Sequence, residues 1–126
     1  MDRTCRGCGL VQDVKLYPSA GKNKETGQVW RRHLCMGCYG KQTRRFRQKT
    51  IRKLREYKRS CSCAHCGYDD HRALEFHHVD SNKELNVAEA AGRWTWARVL
   101  SEIEKCIVLC SNCHRIVHWN ELNNGL

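Results

Sequence analysis

The chain lacks any stretch near the ~20 consecutive apolar residues of a membrane span, so a membrane-spanning protein is not expected. Residues 1–9 lack the apolar core of a secretory signal, and a reducing, cytoplasmic setting is the expectation. Large aliphatic side chains are also few. The hydrophobic class makes up 40% of 126 residues, but it counts all ten cysteines. Small units with so thin a core usually need a metal or disulfides to fold. In a reducing compartment the cysteines are then metal ligands, which excludes a secreted disulfide scaffold. Acidic residues are scarce, 13 against 23 Lys and Arg, leaving a net charge of +10. A strongly basic chain calls for a polyanion partner.

That charge falls in three blocks, which suggest three segments. Residues 1–40 form a Cys-rich head of net +4, residues 41–59 a connector of net +9, and residues 60–126 a Cys/His-rich body of net −3. The expected organisation is a four-cysteine module over 1–40, a basic helical linker over 41–60 and a third domain over 61–126. In the head, Val29, Trp30 and Leu34 can form a short strand after the Gly27 turn. Gly21-Lys22 lacks the upstream glycine and the following Ser or Thr of a phosphate loop.

The connector has no Gly or Pro and is rich in good helix formers. Its apolar stripe, Phe46, Ile51, Leu54 and Tyr57, is thin, which predicts an exposed helix. In the body, residues 74–79 read as a strand and 107–109 as a second one. Between them Thr95 can cap a core-facing helix, with Trp96, Val99, Leu100 and Ile103 at i, i+3, i+4 and i+7. Residues 114–119 suggest a short last helix. Only the Cys-x2-Cys unit recurs.

It occurs four times: Cys5/Cys8, Cys35/Cys38, Cys63/Cys66 and Cys110/Cys113. Two intervening residues make a tight turn that aims both sulfurs at one ion, and two such turns complete a tetrahedral zinc site. Chain order pairs the first turn with the second and the third with the fourth, giving two structural zinc ions. Cys61 and Cys106 are left over, with Cys61 an irregularly spaced substitute for Cys63. A redox pair at Cys63/Cys66 lacks a thioredoxin-like βαβ context. Cys110-Ser-Asn-Cys113-His114 matches a c-type haem attachment pattern, but that chemistry follows export. A finger with two Cys and two His ligands fails because His114 directly follows Cys113.

His33, His65 and His71 are scattered and read as ordinary polar residues. His77-His78 lies inside the strand pattern, where neighbours face opposite ways, so the two cannot share a job unless the strand bends. His114 and His118 are one helical turn apart and share a face, a common way to grip a metal.

Cys63-x2-Cys66, Leu-Glu-Phe-His77-His78-Val-Asp80 and Leu109-Cys110-Ser-Asn-Cys113-His114-Arg-Ile-Val-His118, in that order, resemble the HNH endonuclease family. More narrowly they are similar to its small zinc-stabilised phage-type and homing-type members. The resemblance covers about residues 61–119. It implies a ββα-metal motif: a hairpin, then a helix, with a catalytic cation between them and a four-cysteine zinc site holding the ends. The head resembles, more loosely, the zinc-ribbon-like modules fused to such nucleases. The fold class expected is therefore small α+β and metal-stabilised.

Carried over, the resemblance makes His77, His114 and His118 the ligands of one divalent cation, Mg²⁺, Mn²⁺ or Zn²⁺, and His78 the general base. An unperturbed pKa near ~6.5 suits proton abstraction near neutral pH. Cleavage would leave a 3′-hydroxyl and a 5′-phosphate, in a host cytoplasm if the chain is phage-encoded. The family's middle Asn, nine residues before the first helix histidine, is Lys105 here; Asn86 and Asn112 are candidates to take its role. The alternative class is an inactive DNA- or RNA-binding zinc protein that keeps the scaffold.

The connector has Glu56 alone against ten cations, so a polyanion explains it better than a solvated spacer does. Arg44, Arg45, Arg47, Lys49, Arg52, Lys53 and Arg55 are the candidate DNA contacts, mainly to backbone phosphates. A helix lying along or in a groove is the natural geometry. Trp94 and Trp96 can stack on bases, with Trp96 better placed for the core. One active centre cuts one strand, so double-strand cleavage needs a homodimer or two successive events.

Overall fold

The computed structural model describes residues 1–80 and 82–124. Among the described residues it is a small α+β structure with ten principal elements, in two compact units, Met1–Phe46 and Arg47–Leu126. Among the described residues no helix is long and apolar enough to cross a membrane.

The first unit contains two small antiparallel hairpins. Strands β1 (Asp2–Thr4) and β2 (Val11–Asp13) form one, β3 (Ser19–Lys22) and β4 (Val29–Arg31) the other. The turn between β1 and β2 carries Cys5 and Cys8. It closes when Gly9 N–H donates to Cys5 O at 3.0 Å, with Gly9 at φ +77°. Its core is Cys5, Tyr17 and Cys35, flanked by Leu34 and Cys38. Tyr17 is fully buried, and its hydroxyl donates to Arg3 O at 2.7 Å. Arg3 in turn donates to the carbonyls of Arg31 and Arg32 at 3.0 Å, tying the hairpins together. So small a core, made largely of thiols, buries little apolar surface of its own.

Helix α1 (Met36–Arg59) begins directly after Cys35, so Cys38 sits in its first turn. Its last half belongs to the second unit. There the thin stripe is partly engaged: Thr50 and Leu54 are buried and Tyr57 is half-buried, whereas Ile51 stays exposed. The expectation of an exposed helix therefore needs correction along this one edge, where Leu54 and Tyr57 meet α2 and α3.

The second unit is built on a hairpin of β5 (Leu74–His78) and β6 (Cys106–Cys110), antiparallel from Leu74↔Cys110 to His78↔Cys106. Helices α2 (Val87–Arg93) and α3 (Trp96–Ile103) lie in the connection between them, and α4 (Ser111–Asn123) follows β6 immediately. Val99 and Ile103 of α3 are buried with Val87, Ala90, Ala91 and Leu54, as the helical spacing predicts. Thr95 does occupy the N-cap in extended backbone, but its side chain makes no capping bond. Leu74, Leu109, Cys63 and Cys110 form a second core beside α4.

Candidate metal centres and the histidine site

All ten cysteines are free thiols. The sulfurs of Cys5, Cys8, Cys35 and Cys38 lie within 4.8 Å of one another, and so do those of Cys63, Cys66, Cys110 and Cys113. Four sulfurs each ~2.3 Å from one zinc stand about 3.8 Å apart at the corners of a tetrahedron. Cys8 and Cys35 are 3.8 Å apart and Cys66 and Cys110 3.7 Å, so both clusters fit zinc and are far too open for a disulfide. Cys61 and Cys106 lie outside both clusters; their thiols turn to the carbonyls of Tyr57 and Glu102.

The same two turns position both clusters. Cys63 N–H donates to Tyr68 O and Gly67 N–H to Cys63 O, with Gly67 at φ +79°, as Cys5 and Gly9 do in the first unit. The electrostatics call for a cation. Backbone N–H groups of Cys35, Cys8 and Gly7 hold the Cys5 thiol down at about 6 against burial. At Cys63 burial pushes upward, yet the N–H groups of Cys110, Cys66 and His65 bring it to about 5. The neighbouring thiols push Cys38 up to about 12, and Cys110 with burial does the same to Cys113. One thiolate forms readily in each cluster, and further ones need a dication to offset their repulsion.

The third cluster joins the hairpin to α4. Ring nitrogens of His77, His114 and His118 lie within 4.8 Å of one another. Ring centroids are 5.2 Å apart for His77–His114, 5.1 Å for His77–His118 and 4.6 Å for His114–His118. The Nε2 atoms of His114 and His118 face each other at 3.0 Å. Two nitrogens each ~2.1 Å from one ion are separated by about 3.0–3.4 Å, so this pair fits a shared cation.

Carboxylates surround the cluster. His114 Nδ1 makes a short contact with Glu75, which leaves Nε2 as the lone pair when Nδ1–H donates to the carboxylate. His77 is buried, and its Nε2 lies 3.1 Å from Glu121 Oε1. An open cleft of about 420 Å³, lined by Glu75, Ser111, Asn112, His114, Arg115 and His118, gives access from solvent.

His78 is outside this group. Its side chain is 10% exposed, and its Nε2 lies 2.8 Å from Oε1 of Glu102, itself 1% exposed. Strand alternation sends His77 and Glu75 towards α4 and His78 towards α3. Lys105 does not copy an asparagine, yet it bridges: its Nζ donates to Glu102 Oε2 and to Asn82 O, both at 2.9 Å. Asn86 turns instead to Glu89.

The sequence reading missed Glu75, Glu102 and Glu121. Each had a signal. Glu75 is two residues before His77 on the same strand face, and Glu121 follows His118 by three on the same helix. Glu102 is a charge inside the apolar stripe of α3, three residues after Val99.

The candidate DNA contacts Arg44, Arg45, Lys49, Arg52, Lys53 and Arg55 are exposed along α1. Arg47 is exposed as well, but its Nε donates to Gly92 O at 3.1 Å and so also fastens α1 to the end of α2. Arg55 and Lys58 share a cleft of about 360 Å³ with His71 and Arg72. Arg72 is already gripped by the Asp70 carboxylate at 2.6 and 3.0 Å. Trp96 packs on the helical core as expected, and so does Trp94, under the Arg98 guanidinium at 3.8 Å.

No curated protein and no solved structure matches the chain. Residues 63–114, which span Cys63, Cys66, His77, His78, Cys110, Cys113 and His114 and stop short of His118, match the model of the AI2M/AI1M-like HNH endonuclease family.

Proposed function

We propose that the chain is a metal-dependent DNA endonuclease that hydrolyses phosphodiester bonds, its nuclease domain beginning near Cys61. The observation that carries this is the convergence of His77, His114 and His118 inside a segment matching an HNH endonuclease family. The two four-cysteine clusters hold structural zinc, one in each unit.

His77, His114 and His118 hold the exchangeable cation. Three imidazoles favour a borderline transition ion such as Zn²⁺ over Mg²⁺, which prefers oxygen ligands. When bound, such a cation neutralises the scissile phosphate and the charge that develops on the leaving oxygen. Glu75 keeps His114 in the tautomer with Nε2 free and turned towards His118.

His78, next to His77 at the end of β5, takes the proton from the attacking water as general base. With Nε2 committed to Glu102, its Nδ1 is the nitrogen left to do so. The ends left are a 3′-hydroxyl and a 5′-phosphate, as the HNH resemblance implies. Arg44, Arg45, Lys49, Arg52, Lys53 and Arg55 meet backbone phosphates, which gives affinity without sequence reading.

Supercoiled plasmid incubated with zinc-loaded protein and added Mg²⁺, Mn²⁺ or Zn²⁺ tests the reading. Nicked or linear product that disappears with EDTA is expected. Retarded but uncut DNA under all three ions would instead indicate a binding protein on an HNH scaffold.

A further inference from the structure

Glu102 is a charged side chain with no place in the metal cluster, buried to 1% exposure in an otherwise apolar helix face. A buried carboxylate persists only with partners that replace water. Glu102 has three. Oε2 accepts from Lys105 Nζ at 2.9 Å, and Oε1 accepts from Glu84 N–H at 3.0 Å and faces His78 Nε2 at 2.8 Å. Lys105 is shared further, donating to Asn82 O at 2.9 Å and standing 3.7 Å from the Glu84 carboxylate. The loop after β5 is therefore stitched to α3 from both sides of one carboxylate.

An ionised carboxylate only accepts hydrogen bonds. Facing Glu102, the His78 ring must then present Nε2–H, which makes Nδ1 the lone pair whenever the ring is neutral. A solvated imidazole divides itself between two tautomers and many orientations; this one has a single choice of each.

Resting on the nuclease reading above, we propose that Glu102, anchored by Lys105, is the positioning residue of the general base His78, fixing its ring and its Nε2–H tautomer. Lys105 stands where the resemblance calls for Asn. Its part is to hold the Asn82 loop and anchor the carboxylate that orients His78. The acidity of Glu102 follows from the same contacts. Burial pushes its carboxyl up, but the Lys105 ammonium, the Glu84 N–H and His78 outweigh burial and hold it at about 2.

The test uses the full zinc-loaded chain. Ring ¹⁵N shifts of His78 in the wild type report the tautomer without any variant: Nε2–H is expected, and Nδ1–H would overturn the proposal. Glu102→Gln and Glu102→Asp are then compared for cleavage per folded molecule. The glutamine variant should lose about 10²-fold in kcat with KM for DNA unchanged, and aspartate should recover part of the loss. A folded Glu102→Gln protein cutting within threefold of wild type would also overturn it. Should neither variant fold, the wild-type ring shifts still decide. Failure of the nuclease reading shows separately, as wild-type protein that cuts no DNA with any added ion.

Discussion

His77 and His78 are adjacent in the chain and meet different partners because a strand turns successive side chains to opposite faces. His77 goes to α4 and joins His114 and His118; His78 goes to α3 and Glu102. The two should therefore separate in a mutational test. On the proposed assignment His118→Ala removes one of three cation ligands, so titration with Mn²⁺ or Zn²⁺ should show the exchangeable site lost, with about two zinc per chain retained. His78→Ala should keep that site yet cut on the order of 10²–10⁴-fold more slowly. Higher pH should partly restore it, because hydroxide can replace the missing base. Wild-type cleavage by His78→Ala would remove it as the base. At this scale the alternation and the i, i+4 pair were legible, since both are periodicities of the chain itself. The carboxylates behind the histidines were not. Glu102 meets His78 only once α3 packs on the hairpin, and Glu121 meets His77 only once α4 returns across β5.

Among the elements, the two Cys-x2-Cys-Gly turns at Cys5 and Cys63 repeat one geometry. Gly9 and Gly67 have φ of +77° and +79°, and a Cβ on either would meet nothing within 4 Å. Ala at Gly67 should thus cost only left-handed backbone strain, about 1–2 kcal/mol, read as a lower Tm with zinc still bound. Gly7→Ala should be worse, because its Cβ would lie 3.0 Å from Cys38 Sγ and 3.2 Å from a Leu34 methyl, and chelators should then strip the zinc faster. Equal melting shifts for the two would contradict this. Helix α1 was legible as a helix from its composition. Its start at Met36 was not, because the glycines at Gly37 and Gly40 mask it and Cys35 fixes the entry. Seven-residue α2 and the three-residue strands of the head are too short to show a period. For DNA, replacing Arg44, Arg45, Arg52 and Arg55 with Ala should weaken binding to all sequences and reduce the salt slope by about 3–4. An unchanged slope would make α1 a solvated spacer. Arg47 is left out of that set because its loss also frees Gly92 O, and melting should register it.

For the whole molecule, the controlling fact is that each unit carries its own four-cysteine cluster inside its own small core. Structural zinc sites of this kind contribute on the order of 10–16 kcal/mol, which is folding free energy because no such site exists in the unfolded chain. The units should then lose structure one at a time. Cys110→Ser removes a buried ligand of the second unit, so elemental analysis after mild EDTA dialysis should fall from about two zinc per chain to about one. The fluorescence of Trp94, Trp96 and Trp119, three of the four tryptophans, should then report unfolding, while amide signals of the first unit stay dispersed. Cys35→Ser should do the reverse, losing the zinc and the dispersion of the first unit but keeping cleavage, with weaker DNA affinity from disorder at the start of α1. Retention of two zincs by either variant would break the assignment of the clusters. Loss of both zincs from one substitution would show that the units fold as a single cooperative body.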